Sequence, residues 1–385
     1  MRYEVTILRQ LGELQSAVTE WREFLTTAPR GRSFFNDPSY LEFTLSSGAR
    51  SPRIVVVRRD GAIRCIAPLS IQPSHFHLRL SVFTLASLPV RMMTLLGGDF
   101  IYLEGDDLDH CFSLVFDSLD AGEFDLIFCE ALDARSALWK YCESWNGKHP
   151  AYRFATPSRT REKAYRLALG DSLEQYLSTL GPNTRKSLRA RARKLMSQHS
   201  GELIKVSSAE KVRDFANAVD EIFCDSWQAK TYGPIRRNTD AEIARLEWIA
   251  RAGWLRSYLL LCDHRPIAFQ VGYQYGDTFY ACDFAYAQAW AQWGPGATLM
   301  YLMIEDLFLE KKPSIVDLGY GDSPQKRTFR GSAHDVGDAF ILRRNAWRYA
   351  VSAQRLLDGI ERFTRATLVK ARLDAAVRRV LKHKG

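Results

Sequence analysis

Apolar and polar positions alternate along this chain in two successive blocks that follow the same order. In the first block, residues 3–9 alternate as a strand, and residues 11–27 repeat apolar side chains every three or four positions, which predicts a helix. The alternating segment 53–71 contains Asp60-Gly61, a pair typical of the two-residue turn of a β-hairpin. Further predicted elements are a mixed strand region to about 103, helices at 107–120 and 133–145, and a buried strand at 125–132.

The second block starts after residue 157 and repeats this order. Its most regular part is a predicted three-stranded meander between 254 and 286, followed by a helix at 296–310 and strands at 314–319 and 338–343. Before the meander we predict a strand at 163–169, helices on both sides of Gly181-Pro182, a strand at 202–207, and helices at 208–229 and 239–252. The pattern therefore predicts an α+β chain with domains at 1–157 and 158–345.

The tail from 346 to 385 is predicted to be a basic amphipathic helix. Its apolar stripe contains Tyr349, Ala353, Leu356, Ile360 and Phe363, and is extended by Val369, Leu373, Ala376 and Val380. Two interpretations stay open: the stripe packs on the body or on a second subunit, or the helix lies on an anionic membrane surface.

The net charge of +9 is confined to the same region. Residues 341–385 hold 12 Lys and Arg against 3 Asp and Glu, whereas the other 340 residues hold 41 of each sign. A neutral body gives little support to nucleic-acid binding. Seven cysteines without metal-ligand spacing, and no apolar run of membrane-spanning length, favour a cytoplasmic protein. A position at the inner face of the membrane stays open because of the basic tail.

The turn Gly294-Pro295-Gly296 opens the helix predicted at 296–310. A glycine turn at a helix start presents free backbone N–H groups and the positive end of the helix dipole, which together bind phosphate. Such a turn is equally common as simple punctuation between elements. The polar loop from Asp317 to Lys326 follows the next strand, so we expect the turn and the loop to form one site.

The meander, this turn and the D-x-G-x-G-D-x-x-x-K segment at 317–326 resemble the GNAT-superfamily acyltransferases of the CelD and FemAB-like kind, best over residues 165–345. The resemblance implies two GNAT-like domains in tandem plus the C-terminal helix, with the acceptor side in the first domain. It also implies that the second domain binds acetyl-CoA or another acyl-CoA, with pantetheine along the end of strand 278–286. The residues that it assigns to the acyl-CoA are Gln292, Trp293, Gly294, Gly296, Ala297 and Lys326.

Two positions depart from the family pattern. Ala291 stands where Arg or Gln is common before the glycine turn, and Gln325 stands where Tyr commonly precedes the lysine. These departures leave open a non-catalytic accessory role in polysaccharide assembly.

Direct acyl transfer requires a proton acceptor for the incoming amine or hydroxyl and a proton donor for the leaving thiolate. The candidate catalytic residues are the carboxylates Asp322 and Asp283 and the phenols Tyr286 and Tyr320. No Ser-His-Asp or Cys-His pattern suggests a covalent intermediate, and no metal site is expected, because His75 and His77 lack a third ligand. Each carboxylate could instead be structural, for example in an Asx-turn.

The candidate substrate-binding residues are Arg185, Arg189, Asp317 and Arg327. Arg185 and Arg189 belong to a basic run whose simplest interpretation is a solvated helix face. The predicted function is acyl-CoA-dependent N- or O-acyl transfer to a sugar, an amino-sugar conjugate or a lipid-linked precursor in envelope or polysaccharide biosynthesis. The alternatives are an aminoacyl-tRNA-dependent FemAB-like transferase and the accessory role.

Overall fold

A computed structural model describes residues 1–28, 33–80, 83–120, 122–145, 147–156, 162–233, 235–329, 331–343 and 347–370. The chain forms two compact units, of which unit 1 contains Met1–Glu162 and Asp335–Gly385 and unit 2 contains Lys163–His334. The predicted domain boundary at 157 and the tail residues Leu373, Ala376 and Val380 lie outside the described residues. The domain limits 1–157, 158–345 and 346–385 therefore stay predictions.

Unit 1 is a mixed sheet with helices on both faces. Its helices are α1 (Leu11–Thr27), α2 (Pro38–Ser46), α3 (Leu108–Ser118), α4 (Ala137–Ser144) and α12 (Trp347–Lys370). Its strands are β1 (Tyr3–Leu8), β2 (Ser51–Arg59), β3 (Ala62–Leu80), β4 (Phe83–Leu95), β5 (Ile101–Tyr102), β6 (Leu126–Asp133), β7 (Tyr152–Ala155) and β14 (Ser332–Arg343). The strand order is β1-β2-β3-β4-β6-β14, with β5 beside β3 and β7 beside β14.

Local sequence signals account for several of these elements. Asp37 accepts a hydrogen bond from the Ser39 N–H and Pro38 takes the first helical position, so α2 begins there. Asp60 and Gly61 both have positive φ, as the predicted two-residue hairpin turn between β2 and β3 requires. This turn fixes the register of β2 against β3. One buried core lies between the sheet and helices α3 and α4, and a second lies between the sheet and helices α1 and α2.

Unit 2 is a six-stranded sheet with the order β8-β13-β12-β11-β10-β9. Its strands are β8 (Glu162–Ala168), β9 (Glu202–Val206), β10 (Ser257–Cys262), β11 (Arg265–Tyr275), β12 (Thr278–Tyr286) and β13 (Ile315–Tyr320). Its helices are α5 (Leu173–Thr179), α6 (Pro182–Gln198), α7 (Val212–Cys224), α8 (Trp227–Tyr232), α9 (Asp240–Arg251), α10 (Pro295–Leu309) and α11 (Pro324–Thr328). Helices α5, α6 and α10 share one apolar core with the sheet, and α7 contacts β11 and β12.

The two units repeat one topology. In unit 1 the antiparallel strands β2, β3 and β4 are followed by α3 and by β6, which is parallel to β4. In unit 2 the antiparallel strands β10, β11 and β12 are followed by α10 and by β13, which is parallel to β12. The predicted α+β class with two related domains and a C-terminal helix is therefore confirmed. No helix in the described ranges has both the length and the apolar character needed to cross a membrane.

Two elements differ from the sequence prediction. The helix predicted at 208–229 divides into α7 and α8, because the Ser226 side chain accepts the Ala229 N–H and starts a new helix. The mixed strand region before 103 is mainly one long hairpin, since β3 and β4 pair from Leu69–Leu95 to Leu80–Phe83. Periodicity alone did not distinguish this hairpin from several short strands.

A charged network joins α10 to the sheet of unit 2. The buried Arg256 guanidinium lies 2.9 Å from the Asp306 carboxylate, which also accepts the Tyr258 hydroxyl at 2.7 Å. Burial alone would raise the pKa of Asp306, but the hydrogen bonds from Arg256 and Tyr258 outweigh it and lower the pKa below its ordinary value. Asp306 therefore stabilises the fold at neutral pH, and this contribution is lost as the pH falls through its lowered pKa.

We expect Asp306→Ala to lower the free energy of unfolding by about 3 kcal/mol, because it leaves the buried Arg256 without its carboxylate partner. Urea denaturation followed by circular dichroism measures this change. Glu310→Ala is the matched control, since Glu310 is the exposed second partner of Lys205 and should contribute little. Equal stability of the two variants would show that the network does not hold α10.

Candidate functional site

The sheet of unit 2 opens between β12 and β13. These parallel strands pair only at Thr278–Ile315, Phe279–Val316 and Tyr280–Asp317. The rest of β12, residues 281–286, pairs with β11 on its other side. The edge of β12 toward β13 can therefore offer backbone N–H and C=O groups to an extended ligand lying between the strands.

A β-bulge lies where this opening begins. The β11–β12 register shifts between Val271 and Gly272, which face Asp283 and Ala281, so Cys282 is the extra residue. Bulges change the direction of neighbouring side chains and are frequent beside active sites. After the bulge, Phe284 and Tyr286 pack toward the core shared with α10. Asp283 points the other way and forms an ion pair with Arg237. The Arg237 guanidinium in turn lies over the Phe223 ring of α7. Asp283 and Tyr286 thus belong to opposite faces of β12.

The turn at the end of β12 has the conformation needed for anion binding. Gly294 is left-handed, with φ of 64°, and Pro295 takes the first position of α10. The Thr298 N–H already bonds to the Gly294 carbonyl. No hydrogen bond among the described residues uses the N–H of Gly296 or Ala297, so both remain available at the helix N-terminus.

A cation from α6 lies directly at this turn. A Cβ atom built on Gly294 would be 2.9 Å from Nη1 of Arg191, so the guanidinium lies against the turn, while the left-handed backbone of residue 294 favours glycine. The Lys194 ammonium lies 4.4 Å from the centre of the neighbouring Trp293 ring. Arg191 therefore brings positive charge to the turn from another element, although Ala291 lacks the arginine or glutamine of the family pattern. The sequence prediction selected Arg185 and Arg189 from the basic run on α6 as substrate-binding residues and did not select Arg191.

The polar loop after β13 meets the same turn. The Gln325 side chain on α11 donates to the Gly296 carbonyl at 3.1 Å. Lys326 donates to the carbonyls of Tyr320 and Gly319 at 2.7 and 3.3 Å. Gln325 thus connects α11 to the first turn of α10, and the predicted proximity of the turn and the loop is confirmed.

Asp322 has a partner on each carboxylate oxygen. The Tyr165 hydroxyl donates to Oδ1 at 2.7 Å, and the Arg327 guanidinium donates to Oδ2. The hydrogen bond to Asp322 raises the pKa of Tyr165. With both oxygens occupied, Asp322 is suited to organising the loop and less suited to accepting a further proton.

Asp283 has a different environment. Its Oδ2 lies 3.0 Å from Nη1 of Arg237, and its side chain keeps 34% of its accessible surface. Burial raises the pKa of Asp283, and the opposing effect of Arg237 does not cancel this shift. A partly exposed carboxylate with a raised pKa is suited to general-base catalysis.

The other predicted residues divide between the turn and its surroundings. Tyr286 lies at the turn, because its Cδ1 would be 3.3 Å from a Cβ on Gly296. The Asp317 carboxylate accepts hydrogen bonds from Arg166 Nε at 2.9 Å and from the Gly319 N–H at 2.8 Å. These bonds hold the Asp317 side chain at the end of β13. Arg189 pairs with Glu174 at 2.5 Å. The remaining three are the half-buried Arg185 and the exposed Gln292 and Tyr320. The roles predicted for all of these residues stay predictions.

Comparison with known families identifies the domain that contains this site. A family model described as an acetyltransferase (GNAT) domain matches residues 182–327, which include α6, β12, the glycine turn and the loop. The chain contains a GNAT acyltransferase domain. The predicted resemblance to the GNAT superfamily and the acyltransferase class are thereby confirmed. No curated protein matches the whole sequence, and no group of three or more potential metal ligands occurs in the described residues.

Solved structures extend the likeness of fold beyond the GNAT domain. A structure described as FemX matches 92% of this chain and 100% of its own, with a TM-score of 0.60 and 11% identity. The C-terminal domain of a putative lysylphosphatidylglycerol synthetase from Agrobacterium fabrum matches 91% of this chain and 97% of its own, with a TM-score of 0.51 and 11% identity. A protein of unknown function from Bacteroides thetaiotaomicron matches 89% of this chain and 100% of its own, with a TM-score of 0.51 and 9% identity. At these identities the likeness shows a shared fold alone.

Proposed function

We propose that this protein transfers an acyl group from acyl-CoA to an amine or hydroxyl of a sugar, an amino-sugar conjugate or a lipid-linked precursor. The reaction is a direct transfer in a ternary complex on the cytoplasmic side, within envelope or polysaccharide biosynthesis. The observation that carries the proposal is the turn at Gly294–Ala297, where two available N–H groups and the Arg191 guanidinium converge beside the open edge of β12.

The donor fits this arrangement part by part. A pyrophosphate needs several N–H donors and positive charge, which Gly296, Ala297 and Arg191 supply. A pantetheine arm contains amide groups, and these match the backbone edge of residues 281–286. The phosphates and the amide arm are thus bound by adjoining parts of one element, so a single substrate can occupy both.

We assign the two proton transfers to Asp283 and Tyr286, which lie on opposite faces of β12. Asp283 accepts the proton that the acceptor nitrogen or oxygen loses as it forms its bond to the thioester carbonyl carbon. Tyr286 donates a proton to the sulfur as the carbon–sulfur bond breaks. Asp283 then releases its proton to solvent, and solvent reprotonates the tyrosine. The products are the acylated acceptor and CoA thiol, so no further reactant is needed. The raised pKa of Asp283 supports this assignment, because a stronger base accepts a proton more readily.

Arg191→Ala should weaken acetyl-CoA binding by roughly 10- to 100-fold, since a hydrogen bond to a charged group contributes about 1.5–3 kcal/mol. Isothermal titration calorimetry with acetyl-CoA measures the loss. S-acetylpantetheine, which has no pyrophosphate, should bind wild type and variant equally. Arg193→Ala is the matched control, because residue 193 lies on a different side of α6. Unchanged acetyl-CoA affinity in Arg191→Ala would remove the phosphate site from this turn.

A second function is favoured by one observation. The exposed basic residue Lys194 lies beside Arg191 on α6 at the turn, and this pair of cations would suit the longer phosphate backbone of an aminoacyl-tRNA. The same titration separates the two donors. Micromolar binding of acetyl-CoA supports the leading proposal, whereas absence of binding at millimolar acetyl-CoA together with salt-dependent binding of aminoacyl-tRNA supports the second.

A further inference from the structure

Helix α12 packs on unit 1 through a face that has both apolar and polar side chains. Val351 is buried in an apolar cluster with Phe76 and Leu342, and Trp347 packs against this cluster. Gln354 accepts the Arg79 N–H at 2.7 Å and donates to the Arg79 carbonyl at 3.0 Å, so its amide pairs with the backbone of β3. Arg355 Nε donates to the Thr156 carbonyl at 2.8 Å. The buried Asp358 accepts the Gln354 amide at 2.7 Å. These hydrogen bonds and the apolar contacts of Val351 and Trp347 together hold one face of α12 on unit 1.

The apolar stripe of α12 consequently faces away from these contacts. Tyr349, Leu356 and Ile360 are 64%, 67% and 44% exposed. They lie within about 40° of one another around the helix, whereas Gln354 and Asp358 lie on the other side. These three side chains therefore do not pack on the body, and a second subunit or a membrane surface stays open as the partner of this part of the stripe.

The end of the β3–β4 hairpin adds two more apolar side chains to the same region. Arg79, which Gln354 binds, pairs with Thr84 next to the hairpin end. Phe83 and Leu85 there are both exposed. A second element of unit 1 thus ends in exposed apolar residues close to the middle of α12.

We infer that the apolar stripe and the hairpin end form a docking surface for an anionic lipid bilayer. Residues 341–385 carry 12 basic against 3 acidic side chains, while the rest of the chain is electrically neutral. Positive charge concentrated next to an exposed apolar stripe is the composition of helices that lie in the membrane interface, with the stripe inserted about 5–10 Å. A symmetric dimer would bring two such positive tails together at one patch, so a second copy is electrostatically disfavoured.

The test is co-sedimentation of the full chain with sucrose-loaded vesicles. The wild type should pellet with phosphatidylcholine vesicles containing about 30% phosphatidylglycerol and stay in the supernatant with pure phosphatidylcholine. The double variant Leu356→Glu/Ile360→Glu should bind the anionic vesicles at least about tenfold more weakly, because it places two carboxylates in the inserted stripe. Leu309→Glu is the matched control, because Leu309 is the most exposed leucine of α10 and lies in unit 2.

Three results would overturn the inference. They are wild type that does not pellet with anionic vesicles, a double variant that pellets as well as wild type, and a wild-type dimer that the double variant converts to monomer in sedimentation velocity. A second variant, Leu356→Ser/Ile360→Ser, adds no negative charge and should show the same direction of change. Acetyl-CoA affinity should be the same in all these proteins, so failure here is distinct from failure of the proposed function.

Discussion

Asp283→Asn should lower kcat by roughly 100- to 1,000-fold while leaving the Kd for acetyl-CoA unchanged. General-base catalysis by a positioned side chain contributes about 10²–10⁴-fold, and asparagine keeps the shape without accepting the proton. In the wild type, kcat/KM should fall as the pH drops through the raised pKa of Asp283, because the protonated carboxyl is inactive. In the variant this acidic limb should disappear. Steady-state rates from pH 4.5 to 8 in steps of about 0.5 resolve the difference.

Asp322→Asn is the comparison that makes this prediction decisive. Asp322 binds Tyr165 and Arg327, so its replacement should disturb the loop and lower kcat less than Asp283→Asn does. If Asp322→Asn instead removes the acidic limb and Asp283→Asn keeps it, the proton acceptor is Asp322. Stability provides the check on folding, since the Arg237–Asp283 pair is partly exposed and contributes at most about 1 kcal/mol.

Gly296→Leu should weaken acetyl-CoA binding by about 100-fold or more. A Cβ on this residue would lie 2.6 Å from Phe284 Cζ, 3.3 Å from Tyr286 Cδ1 and 3.4 Å from Gln325 Oε1. The larger side chain must displace these groups and cover the N–H donors, each of which contributes about 1.5–3 kcal/mol when it binds a charged ligand. Calorimetric titration with acetyl-CoA measures the loss, and a cost to folding of about 1–3 kcal/mol is expected from overpacking.

Gly12→Leu is a control at the equivalent position of another helix. Gly12 and Gly296 are each the second residue of their helix, but no atom lies within 4 Å of a Cβ built on Gly12. Acetyl-CoA affinity should therefore be unaffected in Gly12→Leu. If Gly296→Leu binds as tightly as this control, the backbone of the turn does not hold the donor.

Much of unit 2 was predictable because its local signals agree. Turn residues delimit the meander β10–β12, and Gly294-Pro295 marks the start of α10, so these elements match the prediction closely. The meeting of the turn with the 317–326 loop followed from chain order, since the loop leaves a strand parallel to β12. Residues that belong to one continuous stretch of chain can be placed from sequence in this way.

Contacts between distant segments were not predictable. In the structure Arg191 reaches Gly294, whereas Arg189 pairs with Glu174. The sequence of the basic run does not show which arginine reaches the turn, because this depends on how α6 packs against α10. The orientation of α12 was likewise hidden, since an apolar stripe normally predicts the buried face. The backbone pairing of Gln354 with Arg79 and the burial of Val351 place a different face of the helix on unit 1.

The incomplete pairing of β12 with β13 also affects which substitutions a binding site at this edge can tolerate. A ligand that binds to peptide N–H and C=O groups is recognised through the conformation of the backbone. Every residue type except proline offers the same two groups. Substitutions along residues 281–286 that keep the strand extended thus leave this part of a binding site intact. Donor recognition of this kind leaves little trace in residue identity.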